Sequence, residues 1–280
     1  MKGKLYVVAT PIGNLGDLSP RAVETLSSVD FIAAEDTRVG AKLLNKFDIK
    51  KPQISYFEHN KRQKGQYIAS RILEGESCAI ITDAGTPAIS DPGTDLVDIC
   101  RDMDIEVASV PGPSAIITAL SISGMDCGRF CFEGFLSTAK KSRINHLEET
   151  AREPRTLVFY EAPHKLLRTL EDMREYYGGD RRIALCRELT KLHEEVVRTT
   201  IAQAVEKYTE TPPKGEFVLI VEGWKPQEGE SDGTPSIDDM LKEVAALTEG
   251  GKPMSSAVKE TAAKYGISKN ALYRAAQDLT

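Results

Sequence analysis

Apolar and polar positions along this chain fall into short blocks whose period switches repeatedly between two and about 3.6. LYVVAT (5–10) is a β-branched run of strand length, and an amphipathic stretch from Ser19 through Ala22, Val23 and Leu26 predicts a helix. FIAAED (31–36) predicts a second strand, with Thr37 placed to cap a helix running to about Phe47. QISYF (53–57) is a weaker strand, followed by the basic loop HNKRQKG and a helix ending near Gly75. CAIIT (78–82), a helix from about Thr94 to Met103, the strand IEVASV (105–110) and a helix starting near Pro113 continue the series. Strand–helix units of this length predict an α/β domain over residues 1–120, with a mostly parallel sheet covered by helices on both faces.

Around Ser121–Arg129 the pattern changes. RFCFEGFL, TLVFYEA, RIALCREL, EEVVRTTI and EFVLIVEG read as strands, with helices near 139–151, 164–176 and 201–208. The connection between Leu189 and Glu194 is too short for a helical crossover, so residues 121–224 predict a mixed α+β second domain with antiparallel neighbours. Residues 225–235 are rich in Gly, Pro, Ser and acids, and read as a linker. Beyond it, residues 236–280 hold three helix-sized segments broken at Gly250-Gly251 and Gly266. Ser268 is placed to cap the last of them, with Leu272 and Tyr273 on its inner face. This helix–turn–helix spacing fits either a packing module or a nucleic-acid binder. From residue 252 on, Lys252, Lys259, Lys264, Lys269 and Arg274 stand against only Glu260 and Asp278.

Composition narrows the picture. With 280 residues, 41% hydrophobic and 28% charged, the chain is that of a globular protein able to bury a large core. Its apolar runs are of strand length, too short to span a membrane. The N-terminal MKGKLYVVATPIG superficially resembles a signal peptide, but its apolar core is short and meets Pro11 and Gly13, so a cytoplasmic protein is expected. A formal charge of −6 argues against whole-surface attraction to nucleic acid and leaves room for local basic patches. Five cysteines include no CxxC pair; Cys78, Cys100, Cys131 and Cys186 lie among apolar neighbours, as buried reduced thiols do. Cys127 and Cys131 lack companion ligands, so no metal is expected.

The candidate chemistry sits at strand ends. ATPIGNLGDLSP (9–20), TDAGTPAISDPG (82–93) and VPGPSA (110–115) share the same Gly/Pro punctuation. In a parallel sheet ligands bind at the carboxyl ends of strands, so the three loops are placed to converge on one site. Phosphate fits poorly: Asp83 and Asp91 repel an anion, and the prolines remove the N–H donors that an anion nest needs. A cationic ligand with a flat ring suits these loops, and S-adenosylmethionine has both features. The plainer reading is stiff turns with capping aspartates.

TPIGNLGDLSPRAVETL, AAEDTR, DAGTPAISDPG, VPGPSA, FEGFL and FYEAPH, in this order, resemble the ribosomal RNA small-subunit methyltransferase I family. That family is the cytidine 2′-O-methyltransferase branch of the tetrapyrrole (class III) methylases. The resemblance implies two α/β domains plus the small helical domain, S-adenosylmethionine as cofactor, a homodimer, and small-subunit ribosomal RNA or the assembled 30S subunit as partner. It places the cofactor against Pro11, Asp83, Ala84, Gly85, Ile89, Ser114, Ala115 and Tyr160, with Leu189 and Glu216 as looser matches. Core packing is the plainer role for Tyr160.

Methylating a ribose hydroxyl requires a held oxygen and an acceptor for its proton. Glu35, Asp36 and Arg38, at another strand end, are the best cluster for this; a helix cap and a local ion pair are the alternative. Arg38, His59, Lys61 and Arg62 form one candidate RNA track, Lys140, Lys141 and Arg143 a second, and Lys269 and Arg274 a third. Glu161 and His164 are further candidates. A tetrapyrrole C-methyltransferase and a non-catalytic S-adenosylmethionine-sensing nucleic-acid binder remain competing functions.

Overall fold

A computed structural model of the chain describes residues 3–226, 237–265 and 267–277. The expected linker lies outside the described residues from 227 on, as does Gly266. Two compact units result, Met1–Trp224 and Lys225–Thr280.

The larger unit holds two sheets. The first is built from β1 (Lys4–Val8), β2 (Phe31–Ala34), β3 (Gln53–Ser55), β4 (Cys78–Ile81) and β5 (Glu106–Val110), ordered β3-β2-β4-β1-β5 and parallel throughout. β2 and β4 are buried at every position, because helices cover both faces. On one face α1 (Pro20–Ser28) and α2 (Thr37–Lys46) bring Ala22, Leu26 and Leu44 onto Ile32, Ala79 and Ile81. On the other, α3 (Lys61–Leu73) and α4 (Thr94–Asp102) bring Ile68, Ile72, Leu96 and Cys100 onto Phe31, Cys78 and Ile80. The chain therefore leaves β1 and β4, which are neighbours, toward opposite faces. That divergence opens a crevice at the carboxyl ends of the strands.

Helix starts follow local chemistry. Ser19 caps α1, its hydroxyl accepting from Ala22 N–H at 3.1 Å, with Pro20 at the first helical position. At α2 the cap is Asp36 rather than Thr37: its carboxylate accepts from Arg38 N–H at 2.8 Å.

The second sheet contains β6 (Phe130–Phe135), β7 (Thr156–Glu161), β8 (Arg182–Arg187), β9 (Glu195–Thr200) and β10 (Phe217–Val221), in the order β6-β7-β10-β8-β9. β6 and β7 are parallel; every other pairing is antiparallel, including the tight β8–β9 connection. One face is covered by α6 (Lys140–Thr150), α7 (Pro163–Tyr177) and α8 (Ile201–Glu210). The other is covered by α5 (Ala115–Ser123), whose Ile116, Ala119 and Leu120 pack on Val158, Ala184, Cys186, Val218 and Ile220. α5 thus belongs with the second sheet, and the chain changes layers at VPGP, some residues before position 120. Cys78, Cys100 and Cys186 are buried, whereas Cys131 is only half-buried because β6 is an edge strand.

The smaller unit packs α9 (Ile237–Glu249), α10 (Met254–Tyr265) and α11 (Lys269–Gln277) around Met240, Val244, Val258, Ala262 and Leu272, with Tyr273 against that core. Among the described residues no helix is long and apolar enough to cross a membrane.

Candidate active site

The three punctuated loops meet. Thr10 and Gly85 exchange backbone hydrogen bonds of 2.8 and 3.1 Å, and the Thr10 hydroxyl donates to Thr82 O at 3.1 Å. Ala9 N–H donates to Val110 O at 3.2 Å, and the Thr86 hydroxyl donates to Pro113 O at 3.1 Å. Gly85 has φ +86°, a left-handed conformation that a side chain would strain, and this turn is what brings the second loop back onto the first. The apolar run of each strand delivers its loop to the crevice, and these cross-loop bonds hold the loops there.

A cavity of about 420 Å³ lies where the loops meet the second sheet. Of the ten residues expected to hold a cofactor, all but Pro11 and Asp83 line it. Pro11 is buried and its neighbour Ile12 takes the lining position. Asp83 turns away, its carboxylate accepting from Asp36 N–H at 3.2 Å, and so ties the second loop to the start of α2. Further residues complete the wall, notably Thr86, Asp91, Phe135, Lys191, Phe217 and Val218. Thr86 and Asp91 belong to the second Gly/Pro-rich loop and were marked by it, whereas Phe135, Lys191, Phe217 and Val218 reach the cavity from the second sheet and its β8–β9 turn.

The cavity's chemistry suits S-adenosylmethionine. Ile12, Ile116, Leu189 and Val218 offer apolar surface for a flat ring, while Ala84, Gly85, Ser114 and Ala115 permit close approach of the backbone. The Asp91 and Glu216 carboxylates face a ligand that carries positive charge. Tyr160 is held edge-on to Phe132 at 5.0 Å and close to Phe135 at 5.4 Å, so it serves both the core and the cavity wall. Burial pushes its phenol up to about 12, with the charge of Asp91 adding to the shift. Lys191 bridges Glu188 at 2.9 Å and Glu216 at 2.7 Å, which closes the β8–β9 turn over the cavity. That turn presses on the first loop: a Cβ at Gly13 would stand 2.6 Å from Lys191 Cγ and 3.0 Å from Leu189 O.

A second cavity of about 600 Å³ shares Ile89, Ser90 and Asp91 with the first, and adds Glu35, Phe57, Glu58, His59, Lys61 and Asp95. Glu35 accepts from the Thr82 hydroxyl at 2.6 Å. Asp36 does something different: Arg38 pairs with it at 2.6 Å, and its carboxyl is held down at about 2 by the side-chain and backbone hydrogen bonds of Arg38. Asp36 and Arg38 are therefore a helix cap and a local ion pair. Burial raises the Asp83 and Asp91 carboxyls above their usual range, and the neighbouring acid Glu35 adds to both shifts.

The basic candidates divide. His59 and Lys61 line the second cavity, but Lys61 is held between Glu58 at 2.8 Å and Asp95 at 2.9 Å. Arg62, Lys140 and Lys141 are exposed, the lysines on the first turn of α6. Arg143 is misplaced in that patch: it is 4% exposed, paired with Asp172 at 2.6 Å, and donates to the Ser137 and Thr138 carbonyls. Two residues beyond the exposed Lys141, and so about 200° around the helix from it, Arg143 faces the core. Lys269 and Arg274 are exposed on α11. Glu161 is 2% exposed and accepts from the Thr169 hydroxyl at 2.6 Å and Ala162 N–H at 2.8 Å, which makes it an anchor for α7. Among the described residues no group of acids, histidines and cysteines is arranged to hold a metal.

A family model described as tetrapyrrole (corrin/porphyrin) methylases matches residues 4–205. A ribosomal RNA small subunit methyltransferase I of Synechocystis is 46% identical over 277 residues, covering 99% of this chain and 98% of its own. The protein of the same name from Haemophilus influenzae is 46% identical, covering 98% of this chain and 96% of its own. Among solved structures, uroporphyrin-III C-methyltransferase from Thermus thermophilus, complexed with S-adenosylhomocysteine, matches 79% of this chain and 97% of its own. Its TM-score is 0.56 and its identity 16%, a likeness of fold alone.

Proposed function

The chain belongs to the tetrapyrrole methylase family and is an S-adenosylmethionine-dependent methyltransferase, and from that premise we propose that it methylates the 2′-hydroxyl of a cytidine in small-subunit ribosomal RNA. The observation that carries this reading is the pair of contiguous cavities. One is apolar with acids at its edge, and the other opens from it over Ile89–Asp91 and is lined by polar groups. A cofactor and an acceptor nucleotide need such neighbouring compartments, because transfer requires their reacting atoms to be in contact.

S-adenosylmethionine supplies the methyl group on a sulfonium, and its residues of contact are Ala84, Gly85, Ile89, Ser114, Ala115, Tyr160, Leu189 and Glu216. Asp91 stands at the junction of the two cavities and takes the proton of the ribose hydroxyl. Its raised pKa makes it a better proton acceptor than Asp36, whose affinity for a proton is lowered by Arg38. The exposed Lys140 and Lys141, and Lys269 and Arg274 in the helical unit, provide cations for the phosphate backbone. In that unit Lys264 is engaged by Glu243 at 2.7 Å and Lys252 by Glu260, so those two contribute less.

The working species is a homodimer. β5 ends the parallel sheet with Glu106, Val107 and Ser109 exposed, and edge strands of parallel sheets are ordinarily covered. Light scattering of the purified protein measures this directly, and a monomer at micromolar concentration would exclude it.

The function itself is tested with labelled S-adenosylmethionine and small ribosomal subunits that lack the modification. Label is expected on the ribose of one cytidine. Cofactor binding without transfer to RNA would indicate a sensor instead, and turnover of a uroporphyrinogen would indicate a tetrapyrrole enzyme.

A further inference from the structure

The second cavity has a composition that restricts what enters it. Four carboxylates, Glu35, Glu58, Asp91 and Asp95, face it against the single ammonium of Lys61, which Glu58 and Asp95 already share. A phosphate is repelled from such a space, so the RNA backbone passes outside it. The cavity nevertheless carries apolar surface. Phe57 is 38% exposed, Ile89 is 57% exposed, and the His59 ring stands edge-on to Phe57 at 6.2 Å. The Lys61 bridge from Glu58 to Asp95 fastens the loop bearing these rings to the first turn of α4. A ring held beside acceptor-only groups, and next to a cofactor compartment, suits a planar, neutral ligand with N–H donors at its edge.

Resting on the reading that the acceptor is an RNA ribose, we infer that this cavity receives the unstacked base of the acceptor nucleotide, stacked on Phe57 and selected as amino-bearing by Glu35. Unstacked bases in RNA are recognised by aromatic stacking and by hydrogen bonds to their edges. Carboxylates accept from the exocyclic amino group of cytosine, and uracil presents a carbonyl oxygen at that position. One oxygen of Glu35 is bonded by the Thr82 hydroxyl, which fixes the carboxylate and leaves its other oxygen for the base. Because the two cavities share Ile89–Asp91, a base in the second places its ribose at their boundary, beside Asp91.

The experiment uses the full-length protein and small subunits carrying either cytidine or uridine at the position that the wild-type protein methylates. Wild type is expected to prefer cytidine by at least about tenfold. Glu35→Gln, which adds an amide donor, is expected to reduce that preference several-fold while leaving the cofactor Kd within about twofold. Phe57→Ala, on an exposed loop, is expected to raise KM for the subunit about tenfold or more, also without change in cofactor binding. Variants that keep the wild-type base preference and KM would overturn the inference. Loss of cofactor binding in Glu35→Gln would mark a folding defect, and Phe57→Ala then decides alone. Absence of ribose methylation by the wild-type protein itself is a separate result, which removes the functional reading on which the inference rests.

Discussion

Gly13 is where the first loop and the β8–β9 turn press together, and Gly13→Ala tests whether that contact shapes the cofactor cavity. The added Cβ would lie 2.6 Å from Lys191 Cγ, 2.8 Å from Thr190 Oγ1 and 3.0 Å from the Leu189 carbonyl oxygen. Lys191 cannot swing aside freely, because Glu188 and Glu216 hold its ammonium. The Leu189 oxygen is backbone and moves only with the turn. Forcing one extra carbon into such a contact costs about 1–3 kcal/mol. Separation of the loop from the turn releases the strain and moves Leu189 and Lys191, both of which line the cavity. If the strain is relieved in that way, S-adenosylmethionine must restore the packed geometry to bind, and its Kd rises about 5- to 150-fold. If the loop stays in place, the same energy appears as lost stability in urea. Calorimetric titration and urea unfolding together measure both shares. Gly16→Ala, in the same loop but facing only Asn14 of that loop at 3.2 Å, is the control and is expected to change neither. Wild-type affinity and wild-type stability in Gly13→Ala would refute the contact.

Other perturbations have equally definite outcomes. Asp91→Asn is expected to lower kcat about 10²- to 10⁴-fold with a much smaller change in cofactor Kd, measured by single-turnover transfer. Burial raises the folded-state pKa of Asp91, so its contribution to stability is fully present below the unfolded carboxyl pKa and falls as pH rises through the folded value. Asn at this position is expected to flatten that part of the pH–stability profile above about pH 4, as read by thermal unfolding. Arg143→Ala leaves Asp172 without its partner in a largely buried setting and is expected to destabilise the fold by about 3–5 kcal/mol in urea. Lys140→Ala with Lys141→Ala should instead raise KM for the ribosomal subunit and steepen nothing in urea. Removal of residues 236–280 is expected to weaken binding of the subunit, followed by gel shift, while cofactor affinity is retained.

The distribution of periods along the chain determined the elements, and the Gly/Pro clusters determined where strands stop. Both are local properties, set by side-chain sterics and by which residues tolerate a turn. The convergence of the three loops was also legible, because parallel strands put all their carboxyl ends on one edge. What could not be read locally was direction. Arg143 and Lys141 are both basic and two residues apart, yet a helical rotation of about 200° buries one and exposes the other. Asp36 and Glu35 are adjacent acids; a strand-to-helix turn sends Asp36 to Arg38 and leaves Glu35 against Thr82 beside the second cavity. The strand-end loops were marked by sequence alone, whereas Phe135, Lys191 and Phe217 reach the cavity only because the second sheet is set against the first. Their roles depend on contacts between residues far apart in the chain, and such contacts exist only once the tertiary structure has formed.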